Sequence, residues 1–309
     1  MIKLGKTIAI YASAALAITA CTTPDAKAHK PAAQKAATPQ VTYKTTDLGA
    51  GIYMLEGRGG NVGFSVGADG ILVIDDQFGN NVEGVIAQIR KISDAPISYV
   101  LNTHWHGDHA GGNEAMHKEG AMIVAHDNVR LRMKSGGTIF GRNVPASPAV
   151  ALPTLTFSHS QTFHWNEHEI HLFHSPNSHT DGDALIHFRD ANVIHTGDTF
   201  FALNYPFIDL SSGGSIDGFI ATLKQVASIA DDETKIIPGH GPLSTKQDIE
   251  TMIEVMSEAR ATVQTLLDQG KSEADIIALD PLKTLSETYG QGFINGERMT
   301  TIIIKSLSK

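Results

Sequence analysis

Leu101 to Asn113 reads L-N-T-H-W-H-G-D-H-A-G-G-N, and within it four side chains able to bind a metal, His104, His106, Asp108 and His109, fall inside six positions. Neutral imidazole and carboxylate are donors that suit borderline-soft divalent ions such as zinc. The preceding Tyr99-Val100-Leu101 is aromatic and β-branched, which reads as the end of a buried strand, and Gly107, Gly111 and Gly112 mark a turn beyond it. Side chains along a strand alternate between faces, whereas a glycine-rich loop at its C-terminal end lets neighbours converge on one point. The chemistry this spacing allows is therefore metal binding on a loop.

Three later segments repeat the strand-into-loop arrangement. Ser178-His179-Thr180-Asp181-Gly182-Asp183 lies between two strands, Val193-Ile194-His195-Thr196-Gly197-Asp198 runs into a Gly-Asp turn, and Lys235 to Pro242 ends a strand in Pro238-Gly239-His240. Each is weak alone. Together, and in this order, they add His179, Asp198 and His240 as candidates.

His104-Trp105-His106-Gly107-Asp108-His109 resembles the H-x-H-x-D-H signature of the metallo-β-lactamase superfamily, and the resemblance runs from about Val41 to Pro242. It implies an α/β fold, an αββα sandwich of two mixed sheets face to face, with helices outside and further helices at the C-terminus. The site would lie on the edge where the loops meet. It also implies a ligand set: His104, His106 and His179 on one metal, Asp108, His109 and His240 on the other, and Asp198 between them as in glyoxalase II-like members. Two zinc ions per chain, roughly 3.5 to 4 Å apart, would share a water and lower its pKa towards neutrality, giving a hydroxide nucleophile. Asp108 would orient that nucleophile and accept its proton. The reaction expected is hydrolysis of an activated carbonyl in a small molecule: lactam, lactone, ester or thioester.

The β-lactamases with a cysteine ligand are excluded, because the single cysteine is Cys21. Asp198 departs from the remaining β-lactamase pattern and tilts the expectation towards glyoxalase II-like thioesterases, lactonases and general hydrolases. Iron chemistry is the rival within the fold. Flavodiiron proteins usually carry glutamate where His106 stands, while a mononuclear iron dioxygenase, as in the persulfide dioxygenases, is not excluded by ligands alone. A binding protein with a degenerate site is disfavoured, since no ligand position is missing.

The elements that would position these loops follow from periodicity. Between Val41 and Asp76, apolar segments Ile52–Leu55, Val62–Val66 and Ile71–Ile74 predict antiparallel strands, with a hairpin turn at Ala68-Asp69-Gly70. Asn80 to Glu83 fits a capping pattern, and Val82, Val85, Ile86 and Ile89 predict a helix to about Lys91. Helices are expected near 113–118 and 127–134, with a strand at 121–125 between them, then strands from Thr154 through Phe173 and at 184–188. Beyond these, Ser215 to Ile229 predicts a helix, Ser244 to Gln247 caps a long one, and shorter helices follow near Ser272 and Asn295. Ser135 to Pro153, with three prolines and three glycines, reads as a loop, either a cover over a substrate or a surface excursion. His159, His164, His168, His171 and His174 crowd one stretch, but without turn glycines or a carboxylate at ligand spacing they read as structural.

The N-terminus carries a different signal. Lys3 and Lys6 precede an apolar segment, Thr7 to Ala20, with the form of a secretory signal, and Ile18-Thr19-Ala20-Cys21 resembles a bacterial lipobox. Ala26-Lys27-Ala28 offers a competing cleavage site that would release a chain beginning at His29. The domain plan is thus a lipoprotein signal over 1–21, a flexible Ala/Lys/Pro/Thr tether over 22–40 and one domain over 41–309, exported to the periplasm and anchored at Cys21 or soluble there. Loss of the signal takes the formal charge from −9 to −11, and no basic run is present, which argues against nucleic acid as a partner. Oligomeric state is not legible.

Overall fold

The computed structural model describes residues 41–308; the signal, lipobox and tether expected over 1–40 lie outside the described residues. The chain opens as a meander, β1 (Lys44–Gly49), β2 (Ile52–Glu56), β3 (Val62–Gly67) and β4 (Gly70–Ile74), followed by α1 (Val82–Arg90), β5 (Ile97–Leu101), α2 (Asn113–Lys118), β6 (Met122–His126) and α3 (Asp127–Ser135). A short hairpin, β7 (Gly137–Ile139) and β8 (Arg142–Val144), precedes β9 (Leu155–Phe157), β10 (Ser160–Trp165), β11 (His168–His174), β12 (Ala184–Phe188) and β13 (Val193–Phe201). Then come α4 (Ile216–Ile229), β14 (Lys235–His240), α5 (Lys246–Asp268), α6 (Glu273–Ala278), α7 (Lys283–Tyr289) and α8 (Gly296–Leu307).

The strands form two mixed sheets, ordered β1-β2-β3-β4-β5-β6-β9 and β10-β11-β12-β13-β14. Strand β4 explains the layering: all five of its residues are buried, which requires cover on both faces. Leu72 and Ile74 point into the inter-sheet core with Leu101, Val124, Leu172, Ile186 and Ile237. Ile71 and Val73 point the other way, against Val82, Val85, Ile86 and Ile89 of α1 and Met116 of α2. The second sheet buries Ile194 and Ile236 against α4, α5 and α8 through Phe219, Leu223, Met256 and Ile303. The αββα sandwich expected from the sequence is the architecture found.

Several local expectations need correction. Helix α1 starts one residue later than its capping pattern suggests, and its N-cap Asn81 makes no side-chain cap bond. The Phe78 carbonyl accepts from the Asn81 and Val82 amides instead, so backbone replaces the side-chain cap. Helix α5 is capped by Thr245 with Asp248, a capping box one residue beyond the one read from sequence. The stretch 135–153 is no structureless loop, because the β7–β8 hairpin occupies its first half. Its Ile139 and Val144 pack on Trp105, Met133 and Leu152, a tertiary contact invisible to local periodicity.

Candidate metal centre

Parallel strands β4, β5 and β6 deliver loops to one edge of the first sheet, and β11, β13 and β14 deliver theirs to the facing edge of the second. His104, His106, Asp108 and His109 occupy the loop after β5, His179 the loop after β11, Asp198 lies within β13 and His240 ends β14. The structure brings all seven together as two groups, His104-His106-His179-Asp198 and Asp108-His109-His240, with potential donor atoms in each group within 4.8 Å of one another. Asp198 differs from the turn expected. It remains in the strand, displaced by a register irregularity at Gly197, whose φ of +51° is a glycine conformation and whose absent Cβ would meet the Thr103 side chain at 2.6 Å.

Asp198 stands between the groups. Its Oδ2 lies 3.5 Å from His179 Nε2 and 3.8 Å from His104 Nε2. Its Oδ1 lies 2.9 Å from His109 Nε2 and 3.3 Å from His240 Nε2. Asp108 Oδ2 approaches His240 Nε2 at 3.4 Å. Close approach of β14 is built in at Gly239, where a Cβ would sit 2.1 Å from Asp198 Oδ1. Buried Asn61 donates to the carbonyls of Pro238 and Gly241, on either side of His240, and so fixes that turn.

Each of the four buried histidines of the cluster is aimed by an outer contact. His106 Nε2 donates to Asp209 Oδ2 at 3.0 Å and His179 Nδ1 to the Phe207 carbonyl at 2.6 Å. His109 Nδ1 donates to Asp75 Oδ2 at 2.7 Å. Thr103 Oγ1 donates to the same Asp75 oxygen at 2.7 Å, which leaves it to accept from His104 Nδ1 at 3.0 Å. With those nitrogens protonated, the inward nitrogens carry lone pairs. His106 Nδ1 and His179 Nε2 then face each other at 2.9 Å, lone pair to lone pair, and His109 Nε2 faces a carboxylate. His104 Nε2 is buried with no hydrogen-bond partner. Such an array repels itself unless cations lie within it, so the donor set fits two divalent metals of the zinc type.

In the metal-free chain, protons take the place of a cation at the second group. Burial alone would raise the Asp198 and Asp108 carboxyls, but His109 and His240 outweigh it, holding Asp198 well below the ordinary range and Asp108 at about 2. Burial pushes His104 well down, helped by His109, and takes His179 to about 4. Against burial, Asp198 raises His109 strongly and His240 to about 9. Without a metal, Asp198 thus holds protons on His109 and His240, while burial favours the neutral forms of His104 and His179.

Asp75, Thr103, Asp209 and Asn61 were not anticipated. Asp75 had a signal, since it follows the apolar strand β4, which is parallel to β5 and so ends at the same sheet edge as the metal loop; in the structure its φ of +61° is a conformation costly for a non-glycine residue. Asp209, in Pro206-Phe207-Ile208-Asp209, had none. The histidines read as structural stay out of the cluster: His168 pairs with Asp190 and the Ala50 carbonyl, His171 with Thr162, and His174 stacks on His126 at 3.8 Å. Among the described residues, no helix is long and apolar enough to cross a membrane.

An αββα sandwich with this histidine and aspartate cluster on its loop edge defines a class of metalloprotein. Residues 56–240 match the metallo-beta-lactamase superfamily, and the chain belongs to it. Among curated proteins it is similar to the hydroxyacylglutathione hydrolase of Polaromonas sp. (strain JS666), 32% identical over 147 residues, covering 47% of this chain and 48% of that one. It is also similar to the hydroxyacylglutathione hydrolase of Rhizobium meliloti (strain 1021), 26% identical over 179 residues, 55% of this chain and 61% of the other. The chain thus spans about half the length of the curated relatives it matches. In fold it is similar to a metallo-beta-lactamase from Pontibacter korlensis, with a TM-score of 0.60, 14% identity, and coverage of 70% of this chain and 99% of the other. The inverting sec-alkylsulfatase of a Pseudomonas species gives a TM-score of 0.59 at 16% identity, covering 76% of this chain and 44% of that one.

Proposed function

We propose that this chain is a dinuclear zinc hydrolase that cleaves an activated carbonyl bond in a small molecule, with a thioester as the first candidate and a lactam, lactone or ester behind it. The carrying observation is Asp198, whose two oxygens face the two donor groups separately. The hydroxyacylglutathione hydrolases among its relatives favour the thioester. Two bound zinc ions would acidify a shared water and polarise the carbonyl. The chain's own residues do the rest. Asp75, Thr103, Asp209 and the Phe207 carbonyl orient the histidine rings, so their inward nitrogens already point at the site. Asp108, a quarter exposed and held ionised, presents Oδ2 at the cleft floor as the proton acceptor for the attacking water.

The N-terminal signal supports export, with Cys21 as a lipid anchor and the periplasm as the compartment. The acidic chain and its lack of a basic run support a small-molecule substrate over nucleic acid. Metal analysis of gently purified protein, together with turnover of a thioester, ester, lactone and lactam panel, tests the reading. Close to two zinc ions per chain and carbonyl hydrolysis are expected. Mainly iron, with oxygen consumed during turnover, would replace it with the dioxygenase reading.

A further inference from the structure

A cleft of about 1000 Å³ opens over the cluster, lined at its floor by His106, Asp108, Asp198 and His240. That volume is at the upper end of small-molecule sites. Its walls are aromatic, and the rings are connected. Phe207 lies over His106, with centroids 5.9 Å apart and planes 22° apart. Phe140, at the tip of the β7–β8 hairpin, stacks on Phe207 at 3.8 Å and meets Phe293, just before α8, edge-on at 4.8 Å. A continuous apolar track therefore leads from a candidate metal ligand to the cleft mouth.

The track is held open at some cost. Phe140 and Gly141 form a two-residue hairpin turn with φ of +52° and +71°, a conformation in which asparagine or glycine is the usual first residue. A bulky aromatic there is strained, and such strain persists where a side chain is needed in one place. The hairpin base is fixed by Ile139 and Val144 packing on Trp105. Phe140 and Phe293 nevertheless stay 47% and 63% exposed, large apolar surface with no cover of its own. Outside the candidate ligands, the charged groups of the lining are Arg142, Glu297 and Arg298, and Arg298 is already committed to the Phe293 carbonyl and ring.

We propose that this track recognises a large apolar group, a medium-length aliphatic chain or an aromatic ring, attached to the scissile carbonyl compound, in place of the charged glutathione peptide named for the relatives. The inference rests on the hydrolase reading for what happens at the carbonyl, but not for what the walls bind. Burying an aliphatic chain along the rings contributes up to about fourfold in binding per methylene, and aromatic faces add to it.

The test uses the zinc-reconstituted chain and two homologous thioester series, acetyl to octanoyl on the acyl side and methyl to hexyl on the thiol side. A parallel arm measures binding of acetate, butanoate, hexanoate and octanoate by calorimetry. We expect kcat/KM to rise about 50-fold or more along at least one series, and lactoylglutathione to be a poorer substrate than its best member. Phe140→Ala and Phe293→Ala should each flatten the chain-length slope, through KM more than kcat. Leu131→Ala, an equally exposed apolar residue outside the cleft, should keep it. Slopes flat in both series, with hydrolysis intact, overturn the inference and leave the hydrolase reading standing. No hydrolysis of any compound, but carboxylate affinity that rises with chain length and falls in both phenylalanine variants, removes the hydrolase reading and supports the track. A slope unchanged in both variants also overturns the inference.

Discussion

Asp209→Asn tests whether the outer contacts set the cluster's metal affinity. The Asp209 carboxylate accepts five hydrogen bonds: from His106 Nε2, both hydroxyls of Ser211 and Ser212, and both of their amides. Burial would raise its pKa, but the His106 and serine bonds win and hold it ionised. A carboxamide has one oxygen and an NH₂ group, so either orientation sets a donor against donors. If the NH₂ faces His106, the ring must carry its proton on Nδ1, and the lone pair facing His179 is lost. If it faces the serines, their amides lose an acceptor while buried, a cost of about 1–3 kcal/mol in stability. The first outcome predicts metal affinity weakened about 10- to 100-fold, or about 1.4–2.7 kcal/mol. Because His106 belongs to one donor group only, one of two metal equivalents should weaken. Competition titration against a chromogenic chelator reads each equivalent, and urea unfolding of the metal-free chain reads stability. Asp190→Asn, which removes the partner of His168 outside the cluster, is the control and should leave both equivalents unchanged. Two unchanged equivalents in natively folded Asp209→Asn would refute the argument that this carboxylate aims His106.

Asp198→Asn should cost more than any outer-contact variant, losing at least one metal equivalent and exceeding about 100-fold in kcat/KM, while His171→Ala and His174→Ala keep both metals; bound zinc and turnover decide it, and the reverse order would move the site to the histidine-rich strands. Zinc binding by the metal-free chain at pH 7.5 should release at least about one proton, since His240, raised to about 9, must lose its proton to bind; calorimetry in buffers of different ionisation enthalpy measures it. The same raised pKa makes a stability contribution that is complete below the ordinary histidine value near 6.5 and lost as pH climbs through about 9, so the urea midpoint of the metal-free chain should fall across that window. Mass spectrometry of the mature N-terminus should find lipidated Cys21, and a soluble chain beginning at His29 would instead show cleavage after Ala28.

The seven clustered residues were legible because their signal is chemical and local: imidazole and carboxylate next to apolar strand segments, although Asp198 proves to lie inside its strand and not in the turn beyond it. The layered fold was expected from the family resemblance that those residues carry, and the structure supplies its physical reason: strand β4 needs cover on both faces, and α1 offers one apolar stripe to one of them. What stayed hidden had no periodicity to carry it. Strand β1 is an edge strand with mostly exposed residues, and α7 buries none of its own. Neither presents a face that a pattern could reveal.

Asp75 and Asp209 were hidden for a deeper reason, which also bears on how the site works. An aspartate that aims a histidine looks in sequence like any turn aspartate, and its role exists only once a distant segment arrives: Asp209 reaches His106 across 103 positions and Asp75 reaches His109 across 34. These buried carboxylates are tolerated because the N–H groups of those histidines and the N–H and O–H groups of nearby threonine and serine residues converge on them. The dependence runs both ways, since the histidines owe their inward lone pairs to the same bonds. Fold and donor geometry are therefore coupled at these carboxylates, and a substitution there should be felt in metal affinity and folding stability together. The exposed Phe140 and Phe293 above them should vary with little effect on either.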